Sequence, residues 1–141
     1  MVIKMSDYDQ EVEKIRACNQ PILDEFQSWL ENSGLAPNTV KNHLDNIDFF
    51  SKYLVYYEPL TKLDESDGGD IYGFLGDWFP RKAMWASKAS TQSNMASFRK
   101  FFRFLRESGR IDEEIENDVR DTLIEYRDEF LKAAEFDDSF W

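Results

Sequence analysis

The chain has 141 residues, 42% hydrophobic and 16% aromatic, with six glycines and four prolines; this fits a single domain with a packed core and excludes a disordered chain or a turn-rich all-β fold. One cysteine (Cys18) and one histidine (His43) exclude an internal disulfide and leave no ligand set for zinc, so neither metal nor cofactor is expected. The formal net charge is −11, yet residues 81–110 carry eight basic side chains and one acidic one, a block of +7 between two blocks of −9 each.

In chain order, the residues from Met1 to Asp9 turn acidic at once and lack the apolar stretch of a signal peptide. Tyr53 to Tyr57 is the longest apolar-looking run, far too short to span a membrane. A cytoplasmic protein without membrane contact is the expectation. A polar helix is predicted over Asp7 to Ala17, with Val12 and Ile15 as its apolar residues. A second runs from Gln20 to Asn32, capped by Asn19, with Pro21 in its first turn and Gly34 as its stop. Ile22, Leu23, Phe26, Trp29 and Leu30 form its apolar stripe.

The third helix begins after Ala36-Pro37-Asn38-Thr39 and ends near Tyr56. Val40, Leu44, Ile47, Ser51 and Leu54 share one face, with His43 and Phe50 beside it, while Lys41–Asp45 and Asp48–Lys52 can pair outside. His43 is expected to be a packing residue. The acidic loop Asp64 to Asp70 lacks the spacing of a calcium-binding EF-hand and reads as solvated. A short helix from Asp70 to Phe79 buries Ile71, Phe74, Leu75 and Trp78, and Pro80 closes it. Trp85 falls in the basic loop Arg81 to Lys88 and is a candidate contact residue.

The next helix, Ser90 to Glu107, is capped by Ser90 or a neighbour of Lys88 and ends near Gly109. Its apolar face is Thr91, Met95, Phe98, Phe101, Phe102 and Leu105. At about 100° per residue, Gln92, Arg99, Arg103, Arg106 and Arg110 fall within roughly 60° of one another, provided that Arg110 continues the helix. Such a stripe can reach successive phosphates or a guanine edge. It can equally pair with acids of the same molecule or of a second copy, or simply be solvated. A last helix spans Asp112 to Phe136, with Ile115, Val119, Leu123, Tyr126 and Phe130 in register, followed by the acidic aromatic tail Phe136 to Trp141. No Ser has a second His or other paired base, so a hydrolase triad is excluded on inventory.

Three stretches, in order, carry a family resemblance. They are Phe26-Gln27-Ser28-Trp29-Leu30 with Ser33-Gly34-Leu35-Ala36-Pro37-Asn38-Thr39-Val40; Ile47-Asp48-Phe49-Phe50-Ser51-Lys52-Tyr53-Leu54; and Ser90-Thr91-Gln92-Ser93 with Phe98-Arg99-Lys100-Phe101-Phe102-Arg103-Phe104-Leu105-Arg106 and Ser108-Gly109-Arg110-Ile111. From Leu23 to Ile111 the chain resembles the core-binding domain of phage-integrase-type tyrosine recombinases. The resemblance implies an all-α, four-helix, SAM-like orthogonal bundle that lies on one face of duplex DNA. To it this chain adds an N-terminal helix and a long acidic C-terminal helix. The expected division is 1–19 as a helical extension, 20–111 as the core-binding-like domain, and 112–141 as the acidic helix and tail.

The DNA-contact candidates are Lys88, Thr91, Gln92, Arg99, Lys100, Arg103, Arg106 and Arg110, with Asn38, Thr39, Lys41 and Asn42 as a second edge. Asn38 or Thr39 also serves as the helix cap. Three features depart from the family. Its Asn-Pro after the fourth helix is missing, Asp45 and Asp48 stand where basic residues are common, and its catalytic Arg, Lys, His-x-x-Arg and Tyr have no counterpart. No enzyme activity is therefore expected of this chain. The partners expected are double-stranded DNA and, through the acidic C-terminus, a protein; the oligomeric state is open.

Overall fold

The computed structural model describes residues 6–135, all-α and without strands among them. The tail, Phe136 to Trp141, lies outside the described residues. In chain order come α1 (Asp7–Asn32), α2 (Pro37–Leu54), a 3-10 turn (Leu63–Glu65), α3 (Gly68–Gly73), a widened π turn (Phe74–Trp78), α4 (Phe79–Lys82), α5 (Lys88–Glu107), α6 (Glu113–Glu125) and α7 (Arg127–Glu135).

The two helices expected before residue 33 are one. Asn19 does not cap; it is buried, and its Oδ1 accepts the backbone N–H of Leu63 at 3.0 Å. Pro21 sits inside α1. The carbonyl deprived of its partner belongs to Ala17, and both residues are exposed, so water can take the place of the missing bond. Ser6 caps the helix instead, accepting from Asp9 N–H at 3.1 Å.

α2 begins at Pro37, earlier than expected, so Asn38 and Thr39 lie inside its first turn and neither caps it. Ala36 occupies the cap position and Pro37 the first turn, leaving Asn38 and Thr39 exposed beside it. Pro80 does not close the short helix either: the chain stays helical through the π turn to Lys82, with Pro80 in the first turn of α4. The acidic loop is ordered by a capping box, in which Asp67 accepts from Asp70 N–H and Asp70 accepts from Asp67 N–H. Ser87, the neighbour of Lys88, caps α5 in the same reciprocal way with Ser90.

The long C-terminal helix breaks at Tyr126, whose ring packs on Tyr72 at 4.7 Å. The bend brings Phe130, fully buried, against Gly76 of the π turn, where a side chain would meet its ring. One core runs through all these elements. Phe26 and Leu30 of α1, Ile47 and Phe50 of α2, Phe74 and Trp78 of the π turn, Phe98, Phe101 and Phe102 of α5, Val119 and Leu123 of α6 and Phe130 of α7 belong to a single buried cluster. Among the described residues no helix is long and apolar enough to cross a membrane.

Candidate nucleic-acid interface

The basic stripe of α5 divides in two. Gln92, Arg99 and Arg103 are exposed and Lys100 is half-buried; none of the three cations has an ion-pair partner among the described residues. The other members are engaged. Lys88 meets Glu135 of α7 at 2.8 Å. Arg106 donates through Nε to Glu116 of α6 and lies 3.9 Å from Glu107.

Arg110 leaves the stripe altogether, because the helix stops before it. Gly109 adopts φ +78°, its N–H returns to the Arg106 carbonyl, and the N–H of Arg110 returns to the Leu105 carbonyl. This closing motif needs a residue free to enter the left-handed region, hence glycine. Beyond the turn, Arg110 lies over the Phe104 ring at 5.7 Å and bonds Glu25 of α1 at 2.5 Å.

Thr91 is also withdrawn from the surface. It is fully buried with Met95 and Phe98 on the core side of α5, and its hydroxyl has no hydrogen-bond partner. One residue step, about 100°, separates it from exposed Gln92.

The second edge lies at the start of α2. Asn38, Thr39, Lys41 and Asn42 are exposed, and Lys41 pairs with Asp45 at 2.7 Å. A polar seam joins α2 to α5. Asn46 Nδ2 donates to Ser93 Oγ (3.1 Å) and to Ser97 Oγ (2.9 Å), and Ser97 Oγ donates to the Ser93 carbonyl (3.1 Å). His43 Nδ1 lies 2.7 Å from the same Ser97 Oγ. With the hydroxyl's one proton on the Ser93 carbonyl, Nδ1 must be the donor, so the neutral tautomer that satisfies the seam carries its proton on Nδ1. Burial, and then the charge of Lys100, hold the His43 pKa below its ordinary value.

Beside the seam a cleft of about 320 Å³ is lined by Asn42, Asp45, Asn46, Phe49, Phe79, Trp85, Ser93 and Asn94. Trp85 walls it, 57% exposed and 5.1 Å from the Phe49 ring, next to the fully exposed Met84.

Sequence reasoning missed Glu116 and Arg120. Glu116 is 5% exposed and holds both Arg106 and, at 3.5 Å, Arg120. The signal was present, since Glu116 shares the core-facing stripe with Val119 and Leu123 at helical spacing. A carboxylate placed there has to find a cation. Among the described residues no group of three or more His, Cys, Asp or Glu could hold a metal.

Residues 23–109 match the family described as Phage integrase, N-terminal SAM-like domain. The chain is 32% identical over 91 residues to the tyrosine recombinase XerD of Listeria innocua serovar 6a, covering 64% of this chain and 30% of that protein. It is 33% identical over 86 residues to the tyrosine recombinase XerC of Myxococcus xanthus, covering 60% and 27%. The chain thus spans less than a third of the length of these curated relatives. No solved structure matches it. The matched segment runs from the second half of α1 to the closing glycine of α5 and takes in more than half of the chain, which belongs to the phage-integrase N-terminal SAM-like domain family.

Proposed function

We propose that this chain is a DNA-gripping module without catalytic chemistry of its own. It holds duplex DNA chiefly by its phosphates, through Arg99, Lys100 and Arg103 on α5, with the exposed start of α2 (Asn38, Thr39, Lys41, Asn42) as the second edge and Gln92 between them. One observation carries this reading. Three cations stand on one face of α5 without ion pairs among the described residues, while the other α5 cations are neutralised. Guanidinium groups are suited to phosphate, and cations already paired within the molecule contribute less to binding. Lys41, Lys88 and Arg106 therefore play a lesser part, and Arg110 braces α1 against the end of α5. The family and the names of its relatives support DNA as the partner.

The test is fluorescence anisotropy with a random duplex of about 25 base pairs over a salt series. Binding is expected to weaken steeply with salt, by a slope of about −0.9 per phosphate contact. Arg99→Glu/Arg103→Glu is expected to abolish it. No binding at low salt, or binding unaffected by the double reversal, contradicts the reading.

A second reading, a protein-interaction domain on the same scaffold, is favoured by the pairing of α5 with the acidic helices at Lys88–Glu135 and Arg106–Glu116. If Arg99 and Arg103 likewise pair with the acidic helices of a second copy, their double reversal changes the oligomer mass and leaves DNA out of the account.

A further inference from the structure

The block after residue 111 is acidic, but the structure places one of its cations on the basic side of α5. Arg120 of α6 and Arg99 of α5 line the same narrow seam, together with Phe102, Glu116 and Val119. The acid in that seam, Glu116, has a side chain 6% exposed, with one oxygen bonded by Arg106 and the other 3.5 Å from Arg120. One inward-turned carboxylate thus anchors two arginines, and Arg99 stands next to them.

The other acids of α6 are turned away or distant. Asp118 accepts the backbone N–H of Gly68 on the α3 side. Glu114, Asp121 and Glu125 lie about 100° or more around the helix from Arg120. Glu113 shares its edge, roughly 10 Å away along the axis. Arg120 is half exposed, and its one contact to Glu116 is long, so most of its five donors remain available.

From this arrangement we propose that the α5–α6 seam is a phosphodiester site, with Arg99 and Arg120 gripping one stretch of DNA backbone. It rests on the DNA-binding reading above. It lies partly outside residues 23–109, so α6 widens the footprint beyond the segment the family shares.

The experiment is the salt dependence of duplex binding by the full chain, compared with Arg120→Ala, Arg120→Lys and Lys14→Ala. Lys14→Ala removes the same charge from α1, where Lys14 lies 3.8 Å from Glu11 and lines no part of the seam. Arg120→Ala is expected to lower the magnitude of the salt slope by about one and to weaken binding about tenfold at low salt. Arg120→Lys keeps the slope, which separates charge from folding, and Lys14→Ala leaves it unchanged. A wild-type slope retained in Arg120→Ala overturns the site while leaving the DNA reading intact. An equal loss in Lys14→Ala overturns it too, since total charge then accounts for the effect. If the wild-type chain does not bind duplex, the DNA reading itself has failed.

Discussion

His43 shows how much one residue's surroundings decide. It is 7% exposed, tied to Ser97, and near enough to Lys100 to feel its charge. Both effects make protonation harder in the folded chain than in the unfolded one, where the value is near 6.5. The unfolded state therefore binds the proton more readily, and the stability linked to His43 is complete above that value and lost as pH falls through the folded pKa. The urea midpoint is expected to drop as pH is lowered from 7 towards about 5.5, and less so in His43→Gln. The same drop in both proteins would sink the assignment. That His43 is a packing residue was legible from its place at the edge of an apolar stripe. The engagement of Arg106 and Arg110 was not, because their acids stand 10 and 85 positions away, and ion pairs at such separations leave no periodic trace.

Among the elements, α5 was the most legible: its apolar face and its glycine stop follow from helical spacing and from the φ that glycine allows. Gly109→Ala tests the stop. At φ +78° an alanine costs about 1 kcal/mol, and the turn that aims Arg110 at Glu25 loosens with it. Denaturant unfolding should show that loss, and a change within a few tenths of a kcal/mol would mean that the turn relaxes freely. The continuity of α1 through Pro21, the helical run across Pro80 and the break at Tyr126 were hidden. Each reverses a local preference for a tertiary reason: Asn19 is needed by Leu63, the π turn must keep Trp78 in the core, and Phe130 must reach Gly76.

For the whole molecule, the family segment and the core do not coincide. Val119, Leu123 and Phe130 lie beyond residue 109 yet belong to the same cluster as Phe98 and Phe102. Burying each is worth about 1.5–3 kcal/mol, so together they rival the 5–15 kcal/mol that keeps a domain folded. A chain cut after Ile111 is therefore expected to lose cooperative unfolding, seen as a broad or absent near-ultraviolet melt. A sharp transition at the temperature of the uncut chain would show that the core holds without α6 and α7. The −11 total charge says little about any of this, because the acids of α6 and α7 are distributed between outward-facing positions and specific partners.

The polar seam between α2 and α5 has a mechanical meaning. Two greasy helices can creep past each other by fractions of a turn, but the ladder of Asn46, Ser93, Ser97 and His43 has rungs, and the next matching position is a full turn, about 5.4 Å, away. The span from Asn38 and Thr39 to Arg99 is set when the chain folds, so on the proposed function the module is a caliper with its jaws locked, and a duplex held there has to conform to that gauge.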